Sequence, residues 1–472
     1  MNKSVHSEQS SMIRYFLIII FAISFLTISC KSKDASDPDL VLIPSITSLS
    51  PEAGTGDTEV SILGENFGDN SSEVNVTFDL RLAEIIKRSD TEITVKVPTG
   101  FNDTTVDVLV SVDGRRSNTM AFTFKDSTVP LITSITSSCF FGAKVIIEGE
   151  NFSPVLANNI VKFGDIPATV IDANKNSLIV TAPNLGNATM ANVTVTKFNM
   201  VSNAKAITVD ADQNKIATYN WTTTYTVKPG VIYKAAKLSL FGQTQRSIFV
   251  LDVTLNSSNT LGIGFSPSEL NTVALCNNYG AIAGINAGYF PFNGSNDKDP
   301  YVRINSVTVQ NGHTNVSQLY TNSALLIHNN VATVKKFTES GKNLNVVAAA
   351  IPITQAENII VCGPMLITSG VIENLDMSTS HNSSSTARTG LGVTDDGKRV
   401  LMVVVDTGGG VTGVNTLQLA KILQALGAVD AMNFDGGGSS TMFVKNQGLN
   451  GLVNLPTGGT WQRPVRSVIY IR

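Results

Sequence analysis

The sequence predicts a multidomain chain in which two all-β sandwiches precede an α+β domain with a mixed β-sheet. Three observations predict it. An internal repeat at an offset of 85 residues runs through the first half, so that Gly64-Glu65-Asn66-Phe67 recurs as Gly149-Glu150-Asn151-Phe152, Phe78 as Phe163 and Pro98 as Pro183. Within each copy, short segments alternate apolar and polar residues, as Val106, Val108 and Val110 do, which is the period of half-buried strands. From about Ile216 the pattern changes to longer apolar strands, two capped helices and long Gly-rich loops. The length of 472 residues suits roughly three domains at about 150 residues each. Only 15% of residues are charged, against roughly 25% in an ordinary soluble protein, and the net charge of −3 removes the basic footprint that nucleic-acid binding needs.

Taken from the N-terminus, Lys3 and Arg14 precede an apolar run from Tyr15 to Phe25 that ends in Leu26-Thr27-Ile28-Ser29-Cys30. The run is short for a membrane span and has a small residue just before a cysteine. It resembles a bacterial lipoprotein signal, which implies a signal peptide over 1–29, lipidation of Cys30, and export to the outer membrane or cell surface. Residues 30–43, polar and then punctuated by Pro38, read as a tether. The remaining cysteines, Cys139, Cys276 and Cys362, have no CxxC spacing and read as separate buried thiols, with a Cys276–Cys362 pair as the alternative. The four histidines lack HExxH spacing, and no metal site is assigned.

The repeat units span 44–125 and 129–209. Their Ile46-Thr47-Ser48, Ser50-Pro51, Gly-x-Asn-Phe and Val-Pro marks resemble the immunoglobulin-like IPT/TIG family. The second copy departs at Ser137-Ser138-Cys139, where the Pro-x-x-Gly turn is missing. Neither copy carries a cluster of aromatics in exposed positions, so a spacer role is expected of both.

In the third region, 216–472, Ser266-Pro267-Ser268-Glu269 reads as a capping box opening a helix that runs to the Asn-Asn before Gly280. A second helix is expected from Thr416 to Leu426, stopped by Gly427. Gly280–Asn286 matches Gly427–Asn433 at an offset of 147, which suggests two related helix-strand-loop units.

Chemistry concentrates at the strand ends of this region. Asp435 follows the strand Asp430–Phe434 and opens Gly436-Gly437-Gly438-Ser439-Ser440-Thr441, where glycines allow close backbone approach and hydroxyls can donate to an anion. Arg388, in Ala387-Arg388-Thr389-Gly390, can grip phosphate or carboxylate bidentately. Asp406 closes the apolar strand Val400–Val405, and Asn286 closes Ile285-Asn286-Ala287-Gly288-Tyr289-Phe290. Gly408-Gly409-Gly410-Val411-Thr412-Gly413 fits GxGxxG but lacks the alternating β-α series of a dinucleotide fold. Asn293–Asp299 offers Asp297 and Asp299 to Ca²⁺ without the remaining ligands.

Read together with Cys362-Gly363-Pro364-Met365-Leu366, Val403–Asp406, Leu417–Gly427 and Gln462-Arg463-Pro464-Val465, these motifs resemble, in order, the phosphodiester glycosidase family over about 220–472. Thr407-Gly408 stands where that family often has Gly-Arg. The resemblance implies a hydrolase that releases a sugar from a sugar-1-phosphodiester of the N-acetylglucosamine type. It implies Asp435, Asp406 and Arg388 as catalytic residues. Asn286, Gly288, Thr389, Gly436, Gly437, Gly438, Ser439, Ser440 and Thr441 are then the substrate-binding set. No cofactor is implied, with a divalent metal left open. The expected partners are a sugar phosphodiester or glycan and, through the lipid, a membrane. The rival readings are a glycan-binding or adhesion lipoprotein without catalysis, and a phosphodiesterase that cleaves P–O.

Overall fold

A computed structural model describes residues 42–101, 104–125, 128–291, 300–312, 321–337, 344–456, 459 and 461–472. The signal, Cys30 and the tether up to residue 41 lie outside the described residues, as does the Asn293–Asp299 loop. Among the described residues no helix is long and apolar enough to cross a membrane. Two compact units divide the chain, Met1–Phe124 and Lys125–Arg472.

The first unit is a sandwich whose two sheets enclose Phe67, Phe78, Phe122, Phe124 and the inward valines of Thr104–Val112. The second sandwich repeats it, and the repeated motif has a physical reason at each position. Asn66 and Asn151 adopt φ of 61° and 62°, and their amides donate to Ile43 O and Val129 O at 3.1 and 3.0 Å. The turn folds Phe67 and Phe152 back over Gly64 and Gly149, where a Cβ would stand 2.3 and 2.4 Å from the rings. Only glycine leaves that space. The departure at Ser137–Cys139 does not alter the edge: Ser138–Cys139 pairs parallel with Thr208–Val209 as Ala53–Gly54 pairs with Thr123–Phe124.

The second sandwich is joined to the C-terminal domain by a helix, Ala211–Ala217, that the sequence reading passed over. Asp210 caps it and also meets Lys421 Nζ at 2.6 Å. Gln213 Nε2 donates to Gln424 Oε1 at 2.6 Å, while Asn214 Nδ2 donates back to Gly186 O of the sandwich at 2.7 Å. Ile216 enters the core of the C-terminal domain. One short helix therefore grips both neighbours.

The C-terminal domain is layered. An eight-stranded sheet packs one face on helix Thr416–Ala425 and the other on a shared core, beyond which lie a four-stranded and a five-stranded sheet. Ten elements of this domain form two matching halves: Leu261–Leu270 (β1), Thr272–Asn278 (α1), Ala283–Asn286 (β2), Met365–Thr368 (β3), Arg388–Val393 (β4), Arg399–Asp406 (β5), Thr416–Ala425 (α2), Asp430–Asn433 (β6), Met442–Val444 (β7) and Val465–Ile471 (β8). In one half the sheet order is β1-β8-β2-β7, and in the other β5-β4-β6-β3. In each half a strand, a helix and a parallel strand enclose an antiparallel strand from elsewhere in the chain.

The match extends to single hydrogen bonds. Ala281 N–H donates to Cys276 O and Ala428 N–H to Leu423 O, both at 3.0 Å. Ile282 N–H donates to Ile471 O and Val429 N–H to Val393 O, both at 2.8 Å. The 147-residue offset is thus structural, and the second half runs in chain order where the first is circularly permuted.

Helix α2 follows expectation. Asn415 and Gln418 form a reciprocal capping box, and Gly427 stops the helix at φ 102°. Helix α1 does not. Strand β1 continues to Leu270, with Ser266–Glu269 in an irregular stretch of its pairing, and the helix starts at Thr272 under an Asn271 cap. Pro267 lacks the N–H a ladder needs, so it marks this interruption of the strand rather than a helix start.

Candidate active site

Strands β2 and β6 end in Asn286 and Asn433, which occupy equivalent places in the two halves and are fully buried. Each ties down the loop that follows the other. Asn286 Nδ2 donates to Asp435 O at 2.7 Å, and Asn433 Nδ2 donates to Tyr289 Oη at 3.1 Å and Gly363 O at 3.1 Å. Asn286 Oδ1 also accepts from Thr389 Oγ1 at 2.7 Å and Thr441 N–H at 3.0 Å. A side-chain amide offers both donor and acceptor, so one residue fixes three segments in a site closed to water.

The loops so held surround a cleft of about 400 Å³. The loop after β2 contributes Tyr289 and Phe290, and the loop after β6 contributes Asp435, Gly436 and Gly437. Ahead of β4 come Ser380, His381, Ser384 and Thr386, then Arg388 itself; ahead of β8 comes Arg463. The two segments that precede equivalent strands and the two that follow equivalent strands thus meet at one place.

Arg388 is 3% exposed. Its Nε donates to Val414 O at 3.3 Å, and Nη2 donates to Ser384 O at 3.1 Å and to His381 O. Burial pulls its pKa down while Tyr289 and Asp435 push it up, and a guanidinium stays charged through such a shift. Tyr289 Oη donates to Gly363 O at 2.7 Å and lies 3.2 Å from His381 Nε2. Burial, then the neighbouring Cys362 and Asp435, hold its pKa well above the ordinary phenol value, so it is a neutral hydroxyl at physiological pH. Arg463 lies against Gly438, where a Cβ would stand 2.9 Å from Nη2 and 3.1 Å from Cζ. Glycine at 438 is what lets this second guanidinium settle over the loop.

Of the residues expected from sequence, Asp435, Arg388, Gly436 and Gly437 line the cleft. The others serve it from behind. Asp406, expected as a catalytic carboxylate, is 1% exposed and accepts from Thr407 N–H at 2.6 Å, Gly408 N–H at 2.9 Å and Asn454 Nδ2 at 3.2 Å. Burial raises its pKa against these donors. It is a corrected assignment: Asp406 clasps the loop after β5 to the 454–455 segment.

Asn286 and Thr389, expected as substrate ligands, bond to each other, and Gly288 N–H donates to Ser467 Oγ at 2.9 Å. Ser439, Ser440 and Thr441 are fully buried, and their hydroxyls have no hydrogen-bond partner within the protein. They sit beneath the loop rather than on its cleft face. Gly437, expected in the substrate-binding set, donates its N–H to Ala387 O at 2.8 Å.

The GxGxxG match is packing. A Cβ at Gly408 would lie 2.0 Å from Leu455 O, and one at Gly413 would lie 2.1 Å from Thr386 O. Cys139, Cys276 and Cys362 are free buried thiols, with Cys362 pushed up to about 12 by burial. Among the described residues no group of three or more His, Cys, Asp or Glu is arranged to hold a metal.

Sequence reasoning missed Tyr289, His381 and Arg463 as site residues. Tyr289 and Arg463 carried a signal, since both stand in motifs already singled out. His381 sits in a Ser- and Asn-rich stretch that gave none.

Residues 279–472 match the phosphodiester glycosidase family, and residues 44–124 and 130–213 each match the IPT/TIG domain. Human fibrocystin-L is 30% identical over 147 residues, which is 30% of this chain and 4% of that protein; mouse fibrocystin-L is 29% identical over 151 residues, 31% and 4%. The chain therefore spans only about 4% of the length of these relatives. Among solved structures, the zebrafish N-acetylglucosamine-1-phosphodiester alpha-N-acetylglucosaminidase catalytic domain, auto-inhibited by its pro-peptide, is similar at 17% identity and a TM-score of 0.41, covering 54% of this chain and 87% of that one. A hypothetical protein from Synechocystis follows at 13% and 0.38, covering 92% of each chain. The surface glycan-binding protein PbSGBP-B from Prevotella bryantii gives 12% and 0.23, covering 93% of this chain and 95% of that one. The assignment rests on the matched sequence alone: the chain carries two IPT/TIG domains followed by a C-terminal domain of the phosphodiester glycosidase family.

Proposed function

We propose that the C-terminal domain hydrolyses a sugar-1-phosphodiester, of the N-acetylglucosamine-1-phosphodiester type, to a free sugar and a phosphomonoester. The observation that carries this reading is the meeting of one carboxylate, Asp435, with two guanidiniums, Arg388 and Arg463, in one small cleft. A phosphomonoester has a second pKa near 6 and leaves with little protonation. The reaction then needs charge complementarity more than a strong general acid. Arg388 and Arg463 hold the phosphate and stabilise the dianion that forms as the C1–O bond breaks toward phosphorus-bound oxygen. Asp435 faces the anomeric carbon and stabilises its oxocarbenium character. Water adds at C1, and His381, set by its contact with Tyr289 Oη, takes the proton that water gives up.

Hydrolysis in ¹⁸O-water tests the bond that breaks. Label in the released sugar supports a glycosidase, and label in the phosphate identifies a P–O phosphodiesterase instead. Saturable sugar binding with no turnover across a panel of sugar phosphodiesters identifies a glycan-binding protein. The same reading places the enzyme at the cell envelope through a lipid on Cys30. Labelling with a palmitate analogue checks this, with loss of label in Cys30→Ser as the expected result.

A further inference from the structure

We propose that Tyr289 is a positioning residue that fixes His381 as the tautomer protonated on Nε2, so that Nδ1 is the atom that takes the proton of the attacking water. This rests on the hydrolase reading above and carries it to a single nitrogen. Both residues line the cleft.

Tyr289 Oη and Gly363 O are 2.7 Å apart. A carbonyl oxygen cannot donate, so the phenol proton lies between them. Burial keeps the phenol neutral, and that proton is the one it has. Its lone pairs remain, and each meets a nitrogen, Asn433 Nδ2 at 3.1 Å and His381 Nε2 at 3.2 Å. The Asn433 amide has one orientation, because Nδ2 also donates to Phe434 O at 2.7 Å and Gly363 O at 3.1 Å, where an amide oxygen would face two carbonyls. Toward His381 the hydroxyl can therefore only accept, and Nε2 carries the hydrogen. The two rings meet edge-on, their planes 72° apart and their centroids 6.0 Å apart.

His381 is held from its backbone as well. Arg388 Nη2 donates to His381 O, Asn382 Nδ2 to Asp376 O at 3.0 Å and Thr416 Oγ1 to Asn382 O at 3.2 Å. A half-turn of the ring would put Cε1 in the place of Nε2 and lose the contact with Oη. In the reaction the water oxygen bonds to C1 while the electron pair of the C1–O bond leaves with the phosphate. One water proton passes to Nδ1 and from there to solvent, and the Nε2 hydrogen stays on Tyr289 Oη throughout.

The test reads the tautomer and the rate separately. In ¹⁵N-histidine spectra of the full chain, at a pH where the ring is neutral, the His381 signals are those lost in His381→Gln. The parent is expected to show a protonated Nε2 and a bare Nδ1. Tyr289→Phe removes the acceptor, yet Gly363 O keeps its bond from Asn433, so the thermal transition should stay close to the parent's. This variant is expected to show both tautomers, with kcat about tenfold lower and KM within about twofold. A protonated Nδ1 in the parent overturns the proposal and leaves hydrolysis standing. So does an unaltered spectrum or an unaltered kcat in Tyr289→Phe. Absence of turnover by the parent across a panel of sugar-1-phosphodiesters overturns the hydrolase reading instead, and the spectra still decide the tautomer.

Discussion

The two halves of the C-terminal domain share a backbone plan and differ in what they do with it. Gly390 pairs with Asn433 across β4 and β6 as Val468 pairs with Asn286 across β8 and β2, so Arg388-Thr389 and Arg466-Ser467 occupy corresponding places. Phe434 N–H donates to Thr389 O at 2.8 Å and Ala287 N–H to Ser467 O at 3.1 Å, again in correspondence. At the next position the halves part. One loop carries Asp435 and the other Gly288, whose amide is tied to Ser467 Oγ. A duplicated scaffold can thus supply positioning twice over, and a guanidinium from each half, while only one copy supplies a carboxylate.

Breaking that asymmetry should have the largest effect. Asp435→Asn keeps the volume and loses the carboxylate. Turnover of a sugar-1-phosphodiester is expected to fall by about 10³-fold, with a thermal transition close to the parent's. Next comes the shared positioning. Asn286→Ala strands Thr389 Oγ1, the Thr441 N–H and Asp435 O in a buried place, and urea unfolding is expected to show a loss of ~3 kcal/mol. A rise in KM with unchanged stability would instead make Asn286 a substrate ligand.

The corresponding arginines sharpen the contrast further. Arg388→Lys removes the planar fork from the cleft and should lower kcat/KM by about 10²-fold, whereas Arg466→Lys should leave it within about twofold. Equal losses in both would mean that the cleft draws on the halves alike.

The smallest expected effect concerns the sheet that extends only the half containing Asp435. There Asp252, on the strand Gln243–Thr254 beside β5, meets Arg399 Nε at 2.8 Å and Lys234 Nζ at 2.8 Å. Burial alone would raise its pKa, but the two cations together hold it below the ordinary carboxylate value. Its contribution is therefore complete above about pH 4 and fades as pH falls through the lowered folded value. Solvent around Arg399 keeps it near ~1 kcal/mol. Urea midpoints at pH 5 and about pH 3 should differ less in Asp252→Asn than in the parent.

The repeats were legible because their signals are local: a Gly, an Asn in the left-handed region and a Phe within four residues are required by one turn. Asp435 and Arg388 were legible because Gly-rich loops after apolar strands expose what they carry. Asp406 and Asn286 lie behind the cleft rather than on its lining. A polar residue at a strand end reads the same whether it faces a ligand or ties two loops together, and the partners that decide it lie 48 residues away for Asp406 and 149 for Asn286. His381 reaches the cleft only because the segment ahead of β4 folds over Arg388, which no local pattern announces.

The helix Ala211–Ala217 changes what counts as the smallest workable piece of this protein. Excision at the edge of the family match, residue 279, would discard β1 and all of α1, two of the five elements of one matching half. Excision at Ile216 would strip Asp210 from Lys421 and Gln213 from Gln424, baring the flank of the helix whose entry segment supplies Val414 O to Arg388. The portable fragment is residues 125–472, in which the second sandwich acts as a fixed handle on the cleft rather than a length of leash.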